Sequence, residues 1–99
     1  MLHIINKSPT ERNSLGSCLA VARPGATLLL IEDAVYAATK GHASAHTLQA
    51  AQDRLTICVL QPDLEARGMA DRLIEGVTLV DYAGFVDLAA ECKNCQTWL

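Results

Sequence analysis

The sequence predicts an α/β protein, a single three-layer domain spanning residues 1–99 with a mainly parallel sheet of four strands, or five. Three observations carry that prediction. Leu28-Leu29-Leu30-Ile31 is an unbroken run of large apolar residues, the pattern of a strand buried on both faces, and such strands belong to parallel sheets covered by helices. Similar short runs recur at residues 2–5, 55–60 and 77–81, between stretches whose apolar residues fall three and four apart. Parallel neighbours also need a crossover long enough to hold a helix, and the intervening stretches supply it.

In order, Leu2-His3-Ile4-Ile5 reads as the first strand, ended by the turn-forming Asn6-Lys7-Ser8-Pro9. Ser8-Pro9-Thr10-Glu11 has the form of a capping box with Pro at the first helical position, so a helix is expected to start there. Its apolar face would be Leu15, Cys18, Leu19 and Ala22, and Arg23-Pro24-Gly25 would stop it. The central strand, residues 26–31, follows. Asp33 stands where a helix N-cap would be, with Ala34, Ala37 and Ala38 as a small-residue face against the sheet. Thr39-Lys40-Gly41-His42 breaks that helix, and Ser44 opens another carrying Ala45, Leu48 and Ala51. Residues 55–60 make a third strand, and Asp63-Leu64-Glu65-Ala66-Arg67 is a short helix ending at Gly68. Residues 77–81 are a fourth strand. The last helix starts at Tyr82, with Phe85, Val86, Leu88 and Ala89 expected to pack inward, and closes at Cys92-Lys93-Asn94-Cys95 before the tail Gln96-Thr97-Trp98-Leu99.

Composition narrows the function classes. Apolar residues make up 51% of the chain and charged ones only 19%, an excess that reads as surface reserved for other subunits. A net charge of −3 with no basic run argues against direct nucleic-acid binding. No stretch reaches the ~20 apolar residues of a membrane span, and the first residues lack the pattern of a signal peptide, so the expected location is cytoplasmic. There Cys18, Cys58, Cys92 and Cys95 are expected to be thiols.

No cofactor is expected, because no Gly-x-Gly-x-x-Gly follows the first strand and no Gly-Lys-Ser/Thr loop occurs. No metal is expected either: His42 and His46 stand four apart, but nothing nearby completes a ligand set. Glu32 and Asp33 could form an acid pair, although a carboxylate opening a helix is satisfied by capping alone. Cys58 lies in a buried-strand pattern and reads as core. Cys92-x-x-Cys95 has redox spacing but closes a helix, whose C-terminus disfavours a thiolate. Spacing alone makes Cys18 a packed core thiol.

Several ordered blocks change that weighting. His3 with Asn6-Lys7-Ser8-Pro9, residues 28–38, residues 62–68, residues 80–86 and Gln96-Thr97-Trp98-Leu99 resemble the DsrH/TusB family of sulfur-relay subunits over nearly the whole chain. The resemblance implies a DsrE-like fold and assembly with DsrE/TusD-like and DsrF/TusC-like subunits into a heterohexamer holding two copies of each. It also implies exchange of sulfane sulfur, as cysteine persulfide, with carrier proteins of the TusA and DsrC/TusE type. Such a chain is part of a sulfurtransferase complex rather than an enzyme alone. Asn13-Ser14-Leu15 with Cys18, and residues 81–88, resemble the DsrH branch of dissimilatory sulfur oxidation, so Cys18 becomes the candidate persulfide site. The alternative is an architectural, non-catalytic subunit of a relay for tRNA wobble 2-thiouridine synthesis. Cys95 has no counterpart in the family pattern, and the Cys-x-x-Cys pair inherits no role.

Overall fold

The computed structural model describes residues 1–99. Five parallel strands form one sheet in the order β4-β3-β2-β1-β5. They are β1 (Leu2–Ile5), β2 (Thr27–Leu30), β3 (Thr56–Leu60), β4 (Thr78–Val80) and β5 (Cys95–Trp98), alternating with helices α1 (Ser14–Val21), α2 (Ala45–Ala51), α3 (Gln61–Ala66) and α4 (Tyr82–Glu91). The expected α/β class and parallel sheet are therefore present, with the fifth strand included.

The strand order sets the layers. From β1 to β4 the chain steps one way across the sheet, so right-handed crossovers place α1, α2 and α3 on one face. From β4 it returns past β1 to β5, and the same rule sends α4 to the other. Packing follows this division. A core of twenty buried residues joins Ile5, Leu28, Leu30, Ile57 and Val59 to Leu15, Cys18, Leu19, Leu48 and Leu64. On the opposite face Leu2, Ile4, Leu29 and Cys58 pack against Phe85 and Leu88 of α4. Both faces of β2 are thereby covered, as its unbroken apolar run requires.

Four local expectations need correction. Ser8 caps only a single turn: its hydroxyl accepts the Thr10 N–H at 3.3 Å and its carbonyl the Glu11 and Arg12 N–H groups, and the helix begins at Ser14. The segment Glu32–Ala38 is a 3-10 helix rather than an α-helix, which lets Ala34, Val35, Ala37 and Ala38 all be buried at once. Asp33 does not cap it; the opening Glu32 N–H instead donates to Asp63 Oδ2 at 2.6 Å, while Asp33 pairs with Arg67 at 2.9 Å. Finally, Val86 and Ala89 of α4 point outward, and only Phe85 and Leu88 of the expected face pack on the sheet.

Elsewhere the expected stops hold. Gly25 (φ +89°) makes the turn into β2 and Gly68 (φ +69°) ends α3, conformations that cost glycine little. Asp81 caps α4 by accepting the Gly84 N–H at 2.7 Å. The tail, to which the sequence pattern assigns no element, is part of the edge strand β5, in register with β1 from Leu2↔Cys95 to Ile5↔Trp98.

Candidate functional site

Cys18 lies midway along α1 on the face that meets the sheet. Leu15, Cys18 and Leu19 share that face because they are spaced three and four apart, and Cys18 is 0% exposed. Arg54 closes the end of the helix, its Nη1 donating to Ala22 O at 3.0 Å and its Nη2 to Leu19 O at 2.9 Å. Burial pushes the Cys18 thiol up to about 11, and the Arg54 guanidinium offsets only part of that rise. At neutral pH about one such thiol in ten thousand would be ionised. The apolar face that carries Cys18 is filled by this chain's own sheet. A cavity of about 380 Å³ lies beside it between α1 and α2, lined by Leu19, Thr47, Ala50, Ala51 and Arg54 but not by Cys18.

The other cysteines are dispersed. Cys58 of β3 is buried in the smaller cluster, and burial raises its thiol as well. Cys92 ends α4, half-buried against that cluster, whereas Cys95 is exposed on β5; both are free thiols. At the carboxyl ends of β2 and β3 the Asp33 and Asp63 carboxylates are engaged in structure, and Glu32 contributes its backbone N–H. Asp63 holds the Glu32 N–H, and the Arg67 guanidinium holds Asp33 through Nε at 3.0 Å and Nη2 at 2.9 Å. His42 accepts the Ser44 N–H on Nδ1 at 3.0 Å, and no three His, Cys, Asp or Glu side chains gather into a metal-holding group.

A second concavity lies at the opposite, amino ends of β1 and β5. It has a volume of about 330 Å³ and is lined by Met1, His3, Val21, Arg23, Asn94 and Gln96. His3 is 4% exposed, and its Nδ1 accepts the Trp98 indole N–H at 3.1 Å. Burial, with a smaller contribution from the terminal ammonium, holds its imidazole below the ordinary 6.5. Sequence reasoning missed this place. The only signal was a histidine inside an otherwise apolar strand; Arg23 lies twenty residues away, and Asn94, Gln96 and Trp98 lie at the far end of the chain.

The surface carries one further feature. Tyr82 and Val86 on α4 are 61% and 66% exposed and, with the exposed Ala89, follow one another at four and three residues along the outward face. Leu79 on edge strand β4 is also exposed. No helix is long and apolar enough to cross a membrane.

Fold and site together define a small parallel α/β chain with a closed core thiol and an uncovered apolar helix face. The fold is shared by the E. coli ychN protein, whose crystal structure matches with a TM-score of 0.76 at 20% identity over 98% of this chain and 97% of that one. MTH1491 of Methanobacterium thermoautotrophicum matches with a TM-score of 0.70 at 17% identity, covering 97% and 95% of the two chains. Residues 7–95 match the family model described as DsrH like protein. Protein TusB of Pectobacterium parmentieri is 37% identical over 98 residues, covering 99% of this chain and all of that protein, and Protein TusB of Serratia proteamaculans is 33% identical over the same span. The chain belongs to the DsrH/TusB family of sulfur-relay subunits.

Proposed function

We propose that this chain is an architectural subunit of a cytoplasmic sulfur relay serving tRNA wobble 2-thiouridine synthesis. In this reading it carries no sulfur itself. It shapes a complex with TusC-like and TusD-like sisters, two copies of each, in which a sister's cysteine holds the persulfide and exchanges it with TusA- and TusE-type carriers. The observation that carries the reading is the enclosure of Cys18 in the chain's own core, with its thiol raised to about 11. A persulfide carrier needs an accessible thiolate, and that site offers neither access nor ionisation. The apolar outer face of α4 supplies what an architectural role requires. Relatives named TusB along the whole chain favour the tRNA branch.

One observation favours a second reading: Cys18 itself, which resembles the DsrH branch of dissimilatory sulfur oxidation. In that branch α1 would have to open for sulfur to reach the thiol. Mass spectrometry of the assembled complex after loading with a sulfane donor separates the two. Sulfur found only on a sister subunit is the expected result, and a gain of ~32 Da on the Cys18 peptide would overturn the architectural reading.

A further inference from the structure

We propose that the concavity at the amino ends of β1 and β5 is a binding site for a small oxyanion, held by His3, Arg23, Asn94 and Gln96. The inference stands apart from the sulfur-relay reading and does not use Cys18.

The lining chemistry comes first. Trp98 donates to Nδ1 of His3, so that nitrogen must be unprotonated and the neutral ring carries its proton on Nε2. His3, one of the residues lining the cavity, therefore keeps an N–H on Nε2 that no other group of the chain accepts. Arg23 adds a guanidinium fork, the geometry suited to paired oxygens, and the amides of Asn94 and Gln96 each bring an NH2 group. No Asp or Glu lines the cavity, although the chain carries eleven acidic residues against eight basic ones. A lining that offers N–H donors and a guanidinium with no carboxylate among them suits an anion.

Rigidity comes next. The Leu2 N–H donates to Asn94 O at 2.9 Å and the Thr27 N–H to Met1 O at 3.0 Å, so the backbones bearing Met1, His3, Asn94 and Gln96 are tied into the sheet before any ligand arrives. His3 faces Gln96 in the β1–β5 register. Such a frame costs little to order on binding. A volume of about 330 Å³ is at the small end for ligand cavities and suits a sulfate, a phosphate or a short carboxylate with its waters. Val21 and Met1, both exposed, form the apolar part of its rim.

Trp98 is the only tryptophan, so the single indole N–H resonance belongs to the group bonded to the His3 ring. The isotope-labelled full chain is titrated with sulfate, phosphate or acetate at constant ionic strength, with chloride as the reference. The expected result is a saturable shift of the Trp98 indole resonance together with side-chain amide resonances of Asn94 and Gln96. Affinity should fall about tenfold or more in Arg23→Gln, whose exposed position leaves the fold intact. Gln96→Glu, which places a carboxylate in the lining, should abolish the shift. Saturation by sulfate and phosphate alone assigns a tetrahedral ligand, and saturation by acetate as well extends the site to carboxylates. Absence of saturation with all three anions, or an unchanged titration in Arg23→Gln, overturns the proposal.

Discussion

Trp98 donates its indole N–H to Nδ1 of His3 at 3.1 Å, with the two rings tilted by 45° and their centroids 6.1 Å apart. This contact spans almost the whole chain and fastens the edge strand β5 to β1 by side chains as well as by backbone. It accepts a proton donor only while the imidazole is neutral.

A pH dependence follows from that requirement. The unfolded chain takes up a proton on His3 near 6.5, whereas the folded chain resists it, so the unfolded state binds more protons as pH falls below that value. The stabilising contribution is full above 6.5 and is lost as pH drops through the lowered folded value. The urea midpoint should therefore fall between about pH 7.5 and pH 5.5, and the fall should shrink in His3→Phe. Equal slopes in the two proteins would show that His3 is not the group responsible.

Cys18 has the opposite sign at the other end of the scale. The unfolded thiol ionises near 9.0 and the folded one at about 11, so the folded state holds its proton longer. Stability from this site is complete below 9.0 and declines as pH rises towards 11, by on the order of 2–3 kcal/mol over the window. Cys18→Ala should flatten the alkaline decline in denaturant titrations while costing about 1 kcal/mol at neutral pH for the lost packing. In the assembled complex the same variant should relay sulfur at the parental rate. A parental alkaline decline in Cys18→Ala would mean that Cys18 already ionises freely in the folded chain.

These contacts show where the sequence was legible and where it was not. The strand at Leu28-Leu29-Leu30 could be read because both of its faces are buried, so hydrophobicity alone specifies it. The face of α1 could be read for a similar reason: Leu15, Cys18 and Leu19 repeat with the helix and all face one core. The strand Cys95–Trp98 could not. It lies at the sheet edge, three of its four residues are exposed, and its order comes from β1 and His3 at the other end of the chain. The cap of the 3-10 helix was hidden in the same way, because Asp63 reaches Glu32 from thirty-one residues away while the adjacent Asp33 turns to Arg67. On α4 the apolar residues run around much of the helix, and periodicity alone could not say that Val86 faces solvent. As for the candidate site, Cys18 could be singled out from the sequence, but its enclosure depends on how three helices close over one sheet face.

The turn out of β2 gives a prediction of stabilisation. Glu32 has φ +51°, a conformation that strains a side-chain-bearing residue, and its N–H is held by Asp63. Glu32→Gly removes the strain and keeps that backbone hydrogen bond, so it should raise stability by up to about 1 kcal/mol after the entropy cost of glycine. Asp63→Ala should lower it by about 1–2 kcal/mol by leaving the N–H without its acceptor. Thermal melts of the two single variants check both directions; a destabilised Glu32→Gly would show that the side chain matters more than the backbone.

The outer face of α4 separates folding from assembly. Val86 is two-thirds exposed and its neighbours along the stripe are Tyr82 and Ala89, so a charge there meets water in the isolated chain and would be desolvated under a sister subunit. Val86→Glu should leave the unfolding midpoint within about 0.5 kcal/mol of the parent, since surface substitutions on a well-formed helix cost little. The same change should weaken association with the sister subunits by about tenfold or more, read by size-exclusion chromatography with light scattering on the co-expressed complex. Leu88→Glu, on the inward face of the same helix, should instead destabilise the chain before assembly is tested, because Leu88 packs on Leu2, Ile4, Leu29 and Cys58. If Val86→Glu assembles like the parent, the partner contacts lie elsewhere on the chain and this stripe is not the subunit interface.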